Sequence, residues 1–376
     1  MELNNNDGKA KVLAFYLPQF FPNDFNNKWY GKGYTEWTNV GKAKPLYRGH
    51  YQPHVPADLG YYDLRIPEVA EQQAELACEA GVFGFAYWHY WWNGKMLLNE
   101  PGERMLKTGK PDFPFMFAWA NESWYKKLWN KDKKGDELIM EQTYPGGADN
   151  EAHFDYCLPF FKDRRYITFD GRPVFLIYRP LYFDKVTEFM NQWNQLIKEA
   201  GVAESFYFVG MQYNPTEIEV LKEKGFDCIT PQHNLRTPMA WETPLEHLRA
   251  GIQRYLGEYM NKLRTVDYSK YPQTVWKEEI DSREDIAPQL IPNWDNTPRA
   301  GRRGLIYKNS TPESFRKAAE VVMQGVKKKH NKLVFLKSWN EWAEGNYMEP
   351  DLKYGHGYLN ALKEAVEGNL ELYGGE

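Results

Sequence analysis

The chain is poor in several things that would have settled its class quickly. Only 3 of its 376 residues are cysteine, and Cys78, Cys157 and Cys228 lie far apart with no CxxC pair among them. That spacing suggests neither a zinc cluster nor a disulfide framework, and the expectation is buried free thiols. No apolar run approaches the roughly 18 residues of a membrane span. Residues 1–9, MELNNNDGK, lack the basic start and apolar stretch of a secretory signal. The expectation is a cytoplasmic chain without a membrane span, although a mature exported chain with a replaced first residue would look the same. Neither sign of charge dominates: 47 basic against 51 acidic residues leave a net charge of −4, which gives no support to a nucleic-acid partner. A Gly-rich phosphate turn is missing too, since the first strand runs into PQFFPN at residues 18–23. No GxGxxG or Walker loop occurs elsewhere, which argues against a doubly wound open sheet.

Aromatic residues are what the chain has in excess. They make up 16 % of it, with 14 Trp and 26 Tyr, and many stand beside polar groups instead of inside plain apolar runs. That arrangement suits a flat ligand such as a pyranose ring.

The order of apolar segments gives the architecture. Residues 11–17, KVLAFYL, form a short buried strand closed by Pro18. Further strands are expected over 82–88, 115–119, 173–178, 206–211, 227–231, 287–292 and 333–336. Helices are expected between them over 67–80, 149–162, 186–200, 216–224 and 312–328, the last with Thr311 as N-cap. Two stretches break the rhythm: a polar and aromatic loop over 18–65, and a connection over 234–284 holding a helix near 245–263. Eight strands alternating with helices make a (β/α)₈ barrel in one catalytic domain, 1–376, with its site at the C-terminal strand ends.

The last strand delivers SWNEWAEGNYMEP, residues 338–350. It carries Glu341 and Glu344 three positions apart, with Trp339 and Trp342 as flat faces and Asn340 to hold a hydroxyl or a carboxylate. An ExxE pair is more often a solvated helical face. Here it follows an apolar strand, has aromatic neighbours and no interleaved Lys or Arg, which favours paired acid/base carboxylates. Two carboxylates so close raise one pKa, as an acid working near neutrality requires.

Taken together, LAFYLPQF, YTEW, GFAYWHYWW, AWANESW and WNEWAEG resemble the family named after the O-antigen protein WbsX, often labelled glycosyltransferase. That family is similar in turn to glycoside hydrolase family 99, the endo-α-mannosidases. The resemblance spans residues 12–350 and implies a metal-independent, retaining attack within a (β/α)₈ barrel. Glu341, Trp342, Glu344 and Gly345 match the hydrolases' E-W-x-E-G pattern. By that resemblance Glu344 would protonate the departing glycosidic oxygen and later activate water. Glu341 would take the proton of the sugar's own 2-hydroxyl, so that this oxygen attacks the anomeric carbon and gives a 1,2-anhydro sugar. The sugar must then present that hydroxyl trans to the leaving group, as α-mannose and α-rhamnose do. Asn346 stands where the hydrolases carry Thr, and PQFF replaces their Trp-containing first-strand end, departures that bear on which sugar is taken.

Other candidates for substrate contact follow the strand ends. They are Tyr16 on the first strand, Glu36 and Trp37 in the long loop, Trp88 at the end of the second strand with His89 and Tyr90 just after it, and Trp119, Asn121, Glu122 and Trp124 on and after the third. Trp294 and Asp295 follow the seventh. Alternation sends about half of an aromatic run away from any pocket, and core packing is the plain alternative for it. Asn121-Glu122 would suit a retaining β-glycosidase, but there the glutamates follow the fourth and seventh strands. Glu122 is therefore read as binding or orienting, with a structural ion pair as the alternative. His50 and His54 are four apart, yet Pro53 between them disfavours the single helical face of a metal pair. The expectation is an enzyme acting on an oligosaccharide or polysaccharide, without metal or cofactor. A transferase of O-antigen or capsule assembly is the alternative, lacking a DxD motif, and an idle glycan-binding protein is the third reading.

Overall fold

The computed structural model describes residues 1–3, 9–126, 137–212, 214–231, 252 and 263–368. Eight parallel strands form the central sheet among them: β1 Lys11–Tyr16, β2 Val82–Trp92, β3 Phe115–Trp119, β4 Arg172–Ile177, β5 Tyr207–Gln212, β6 Cys228–Pro231, β7 Gln289–Leu290 and β8 Leu333–Leu336. Their spatial order is β6-β5-β4-β3-β2-β1-β8-β7. Each strand from β1 to β6 thus lies beside its sequence neighbours, and β8 returns beside β1, with Lys11 opposite Leu333 and Ala14 opposite Leu336. The ring closes between its two ends: Ile229 donates to the Asp285 carbonyl at 2.8 Å, and Ala287 donates to the Ile229 carbonyl at 2.9 Å. The fold is a (β/α)₈ barrel.

These segments become barrel strands because they are apolar on both faces. Every residue of β1, β3, β5 and β8 is buried, as parallel strands between a core and a layer of helices must be. Inside the barrel Phe15 stacks between Trp88 and Phe335, with ring centroids 4.7 and 5.2 Å away. Outside it, the helix Val186–Glu199 turns Phe189, Trp193 and Ile197 inward at helical spacing. Trp193 packs there on Phe175 and Phe206. The helix Pro312–Lys327 begins where Thr311 accepts the Ser314 amide.

Strand bounds shift by a residue or two from the sequence reading. β2 runs on through Trp92, four residues further, and β7 pairs over only two, since Pro288 and Pro292 bracket it. The 18–65 loop contains two short helices, Asp24–Tyr30 and Glu36–Gly41. Of the expected helix at 245–263, residues 245–251 and 253–262 lie outside the described residues. The connection contains a strand, Arg264–Asp267, that pairs with Leu305–Lys308 away from the barrel, and continues through a 3₁₀ helix, Tyr268–Gln273, and a short helix, Glu278–Asp281. Cys157 and Cys228 are buried thiols, whereas Cys78 is exposed. Among the described residues no helix is long and apolar enough to cross a membrane.

Candidate active site

After β8 the chain makes a compact double reversal. Asn340–Glu341 pairs antiparallel with Asn346–Tyr347, and a single 3₁₀ turn, Trp342–Glu344, joins them. This hairpin sends Glu341 and Glu344 to one side and the indole of Trp342 to the other. There Trp342 stacks on Tyr347 at 3.8 Å and donates Nε1 to Glu349 at 2.6 Å. Gly345 closes the turn at a φ of 58°, and a Cβ there would stand 2.8 Å from the Asp295 amide nitrogen. Only glycine fits, because that amide must reach the Glu344 carbonyl at 2.7 Å. The loops after β7 and β8 are joined by this bond.

Asp295 is fixed in its turn. Its carboxylate, 3 % exposed, accepts from His50 at 2.7 Å, Gln52 at 2.8 Å, and the Thr297 amide and hydroxyl at 3.0 and 2.6 Å. These hydrogen bonds hold it below the usual carboxylate range against the opposing effect of burial. By accepting from the Thr297 amide and hydroxyl at the start of the short helix Thr297–Ala300, it fixes the turn that carries Arg299 to the paired glutamates. Arg299 Nη1 meets Glu344 at 2.7 Å, while Nη2 meets Glu341 at 3.1 Å and Glu36 at 2.6 Å. Nε adds a second bond to the same Glu36 oxygen at 3.0 Å. Burial, reinforced by the Glu344 charge and opposed by Arg299, pushes the Glu341 carboxyl up to about 8.

These groups line a cleft of about 820 Å³ at the C-terminal ends of the strands. Tyr90 from β2, Glu122 and Trp124 after β3, and Arg179 after β4 form the facing wall. Glu122 pairs with Arg179 at 3.1 Å, and the Arg179 guanidinium lies over the Tyr182 ring at 5.3 Å. A cleft of this size, with carboxylates at its floor and tyrosines on its walls, has the chemistry of a sugar site.

Of the residues singled out from the sequence, Glu36, Tyr90, Glu122, Trp124, Glu341 and Glu344 come together in the cleft. The others line none of it. Asn340 braces the first loop, with Oδ1 accepting from the Leu17 amide at 2.7 Å and Nδ2 donating to its carbonyl at 3.1 Å. Asn121 braces Arg179 in the same two-bond fashion, at 2.7 and 3.0 Å. Tyr16 bonds Gln73 at 2.7 Å, Trp37 donates to the Tyr62 carbonyl at 2.7 Å, and Trp119 donates to the Trp91 carbonyl at 3.2 Å. Trp339 is fully buried, Trp88 stacks inside the barrel, and Trp294 lies under the Lys337 ammonium. Arg299, Arg179 and Tyr30 line the cleft and carry no motif, while Tyr34 lines it from the YTEW segment without having been singled out. The one local signal for Arg299 is the Asp-x-Thr-Pro helix start just ahead of it.

His89 faces the opposite way from Tyr90, into the helix Gly147–Phe161, where His153 and Cys157 await it. The two Nε2 atoms are 2.7 Å apart with ring planes 1° from parallel, and Cys157 Sγ is 3.7 Å from His89. Two imidazole nitrogens on one tetrahedral zinc would stand about 3.3 Å apart, given bonds of about 2.0 Å. The spacing is that of an N–H···N hydrogen bond. Burial drives His89 down to about 3 and His153 well below the ordinary histidine range, so the pair stays neutral.

Barrel, cleft and paired glutamates define the class, a carbohydrate-active (β/α)₈ protein. Within it, the chain belongs to the family described as "Glycosyltransferase WbsX", which matches residues 12–362. A protein of Xanthomonas campestris pv. campestris (strain B100), described as "Uncharacterized protein WxcX", is 32 % identical over 371 residues, covering 95 % of this chain and 50 % of that protein. The chain therefore spans about half the length of the curated relatives it matches. Among solved structures, one described as "Glycoside hydrolase-like protein" superposes with a TM-score of 0.60 at 17 % identity, over 95 % of this chain and 94 % of that one. The GH99 endo-α-mannosidase of Bacteroides thetaiotaomicron superposes with a TM-score of 0.53 at 15 % identity, over 96 % and 98 %. At such identities the likeness is one of fold.

Proposed function

We propose that the protein is a retaining glycoside hydrolase that cleaves an α-mannoside-like linkage in an oligosaccharide or polysaccharide. The observation that carries this reading is the delivery of Glu341 and Glu344 by one hairpin into one cleft, tied to a single guanidinium. Glu344 gives its proton to the glycosidic oxygen as the bond to the anomeric carbon breaks. Glu341 takes the proton of the 2-hydroxyl, whose oxygen closes on the anomeric carbon. Water then gives a proton to Glu344 and attacks that carbon, and the ring-opened 2-oxygen recovers its proton from Glu341. Burial and the Glu344 charge raise the pKa of Glu341, the base in this scheme, to about 8, so Glu341 must first lose its proton and the rate is expected to rise with pH toward that value. The Tyr90 and Trp124 rings supply apolar faces for the pyranose beside this pair.

The test is a mass-spectrometric screen of α-mannosides, α-rhamnosides and bacterial surface polysaccharides in heavy-oxygen water. Label at a new reducing end, lost in Glu344→Gln, is the expected result. Absence of label throughout would sink the hydrolytic reading. The family's description favours a second one, transfer from an activated sugar, in which case consumption of a nucleotide sugar replaces the label.

A further inference from the structure

Three carboxylates, Glu36, Glu341 and Glu344, share one guanidinium, and the sharing is unequal. Arg299 spends two of its four bonds on Glu36, at 2.6 and 3.0 Å, although Glu36 is only 1 % exposed and belongs to a different loop from the paired glutamates. The remaining bonds go one to Glu344 at 2.7 Å and one, on the nitrogen already shared with Glu36, to Glu341 at 3.1 Å. A long Arg side chain from a four-residue helix has many rotamers, and ordering it over the glutamates costs entropy that some other contact must offset. Glu36 supplies that contact. It sits in the first turn of the helix Glu36–Gly41, whose entry is fixed by a capping box at Thr35 and Thr38.

We infer that Glu36 is a positioning residue that acts through Arg299, holding the guanidinium on Glu341 and Glu344 and so setting the protonation balance of that pair. The inference rests on the reading of Glu341 and Glu344 as the working carboxylates. Its value is that two opposite signs separate it from a bystander role. The negative charge of Glu36 itself raises the Glu341 pKa, whereas the charge of Arg299 lowers it. If Glu36 acts only as a nearby charge, its removal lets Glu341 lose its proton at lower pH. If it acts by anchoring Arg299, its removal lets the guanidinium swing away and Glu341 holds its proton to higher pH. The other charged or titratable groups facing Glu341 are Glu344, Lys337 and Tyr90, and those facing Arg299 from the long loop are Tyr30 and Tyr34. None of them changes in the comparison.

The experiment is a carboxyl ¹³C titration of glutamate-labelled protein, with the Glu341 signal identified by its loss in Glu341→Gln. It needs no turnover. Failure of the heavy-oxygen screen would remove the hydrolytic reading, while the titration still judges the pair. Glu36→Gln is expected to raise the Glu341 midpoint by about one unit, in the same direction as Arg299→Met. In the Arg299→Met background Glu36→Gln should instead lower it. Glu36→Asp keeps the charge and withdraws the carboxylate, so it too should raise the midpoint, and it stands in if Glu36→Gln does not fold. A fall in the midpoint in Glu36→Gln, or an unchanged midpoint in Glu36→Asp, would overturn the proposal. An unmoved midpoint accompanied only by a lower melting temperature would do the same, since it assigns Glu36 to structure alone.

Discussion

The Trp342 indole nitrogen donates to the Glu349 carboxylate at 2.6 Å, and through that bond the residue between the paired glutamates is tied to the body of the barrel. Glu349, 2 % exposed, also accepts from Gln73 at 2.5 Å and from Tyr62 at 3.0 Å. Gln73 accepts in turn from Tyr16, and Tyr62 accepts from Asn340. The hairpin is thus supported from below by a buried polar network that includes three of the residues whose place in the chain had suggested sugar contact. In such a network each unpaired member is costly.

That network has a pH signature. Burial, partly offset by its hydrogen bonds from Trp342, Gln73 and Tyr62, raises the Glu349 pKa from 4.5 to about 7. A carboxyl with a raised folded pKa binds its proton more tightly in the native state. Its contribution to stability is complete below about pH 4.5 and is lost as the pH rises to about 7, a change of roughly 3 kcal/mol at most. Glu349→Gln should therefore flatten the decline of melting temperature between pH 5 and 8. Glu349→Ala should flatten the decline as well, and should also lower stability by about 2–3 kcal/mol below pH 5, where the Trp342, Gln73 and Tyr62 donors lose their acceptor, a deficit that shrinks as the wild-type carboxyl ionises at higher pH. Thermal melts across that range distinguish the two variants.

Gly345 makes a sharper case, since its role is steric. Gly345→Ala must relieve a Cβ contact at 2.8 Å with the Asp295 amide while holding a positive φ. The hairpin can only yield by parting from the loop after β7. Expected are a destabilisation of about 1–3 kcal/mol and a loss of turnover of tenfold or more, as Glu344 and Arg299 move apart. Unchanged turnover would mean that the join between the two loops does not position the pair.

How much of this was legible beforehand follows from what sequence position encodes. Buried parallel strands read as apolar runs, so β1, β3 and β8 were evident, whereas β7 was nearly hidden because two prolines leave it only Gln289 and Leu290 to pair. Position after a strand end brought out Glu36, Tyr90, Glu122, Trp124, Glu341 and Glu344. It does not say which way a side chain turns. Trp339, Trp342, Asn340 and Asn121 carry the residue types of a sugar site and spend them on bracing backbone and core. Arg299 escaped because its importance lies in distances to Glu36, Glu341 and Glu344 that no local pattern records.

The exposed ring of Tyr182 offers a test of the cleft alone. It is 67 % exposed, lines the mouth and rests under Arg179. Its removal touches little of the core. Tyr182→Ala is expected to leave the melting temperature within a degree or so, and to raise KM several-fold with kcat little changed, the pattern of lost uniform binding. A fall in kcat at constant KM would place Tyr182 in the chemical step instead.

Asp295 gives the opposite expectation, because its worth is structural and reaches two loops. Four donors converge on its carboxylate, two from the 50–52 segment and two from Thr297. Asp295→Ala leaves all four without their acceptor in a buried place, so stability should fall by about 3 kcal/mol or more. The 46–56 segment loses its tie to the barrel, and limited proteolysis should cut there faster than in the wild type. Asp295→Asn keeps the shape but replaces one accepting oxygen with a donor, which cannot serve His50 and Gln52 together with Thr297. Its proteolysis rate should lie between the two. Activity should follow the same order, since the helix start that aims Arg299 depends on the same carboxylate. If cleavage in 46–56 is not accelerated in Asp295→Ala, the long loop is held by its other bonds, from Ala57 to Pro350 and from Leu352 to Val55, and the convergence on Asp295 serves Arg299 alone.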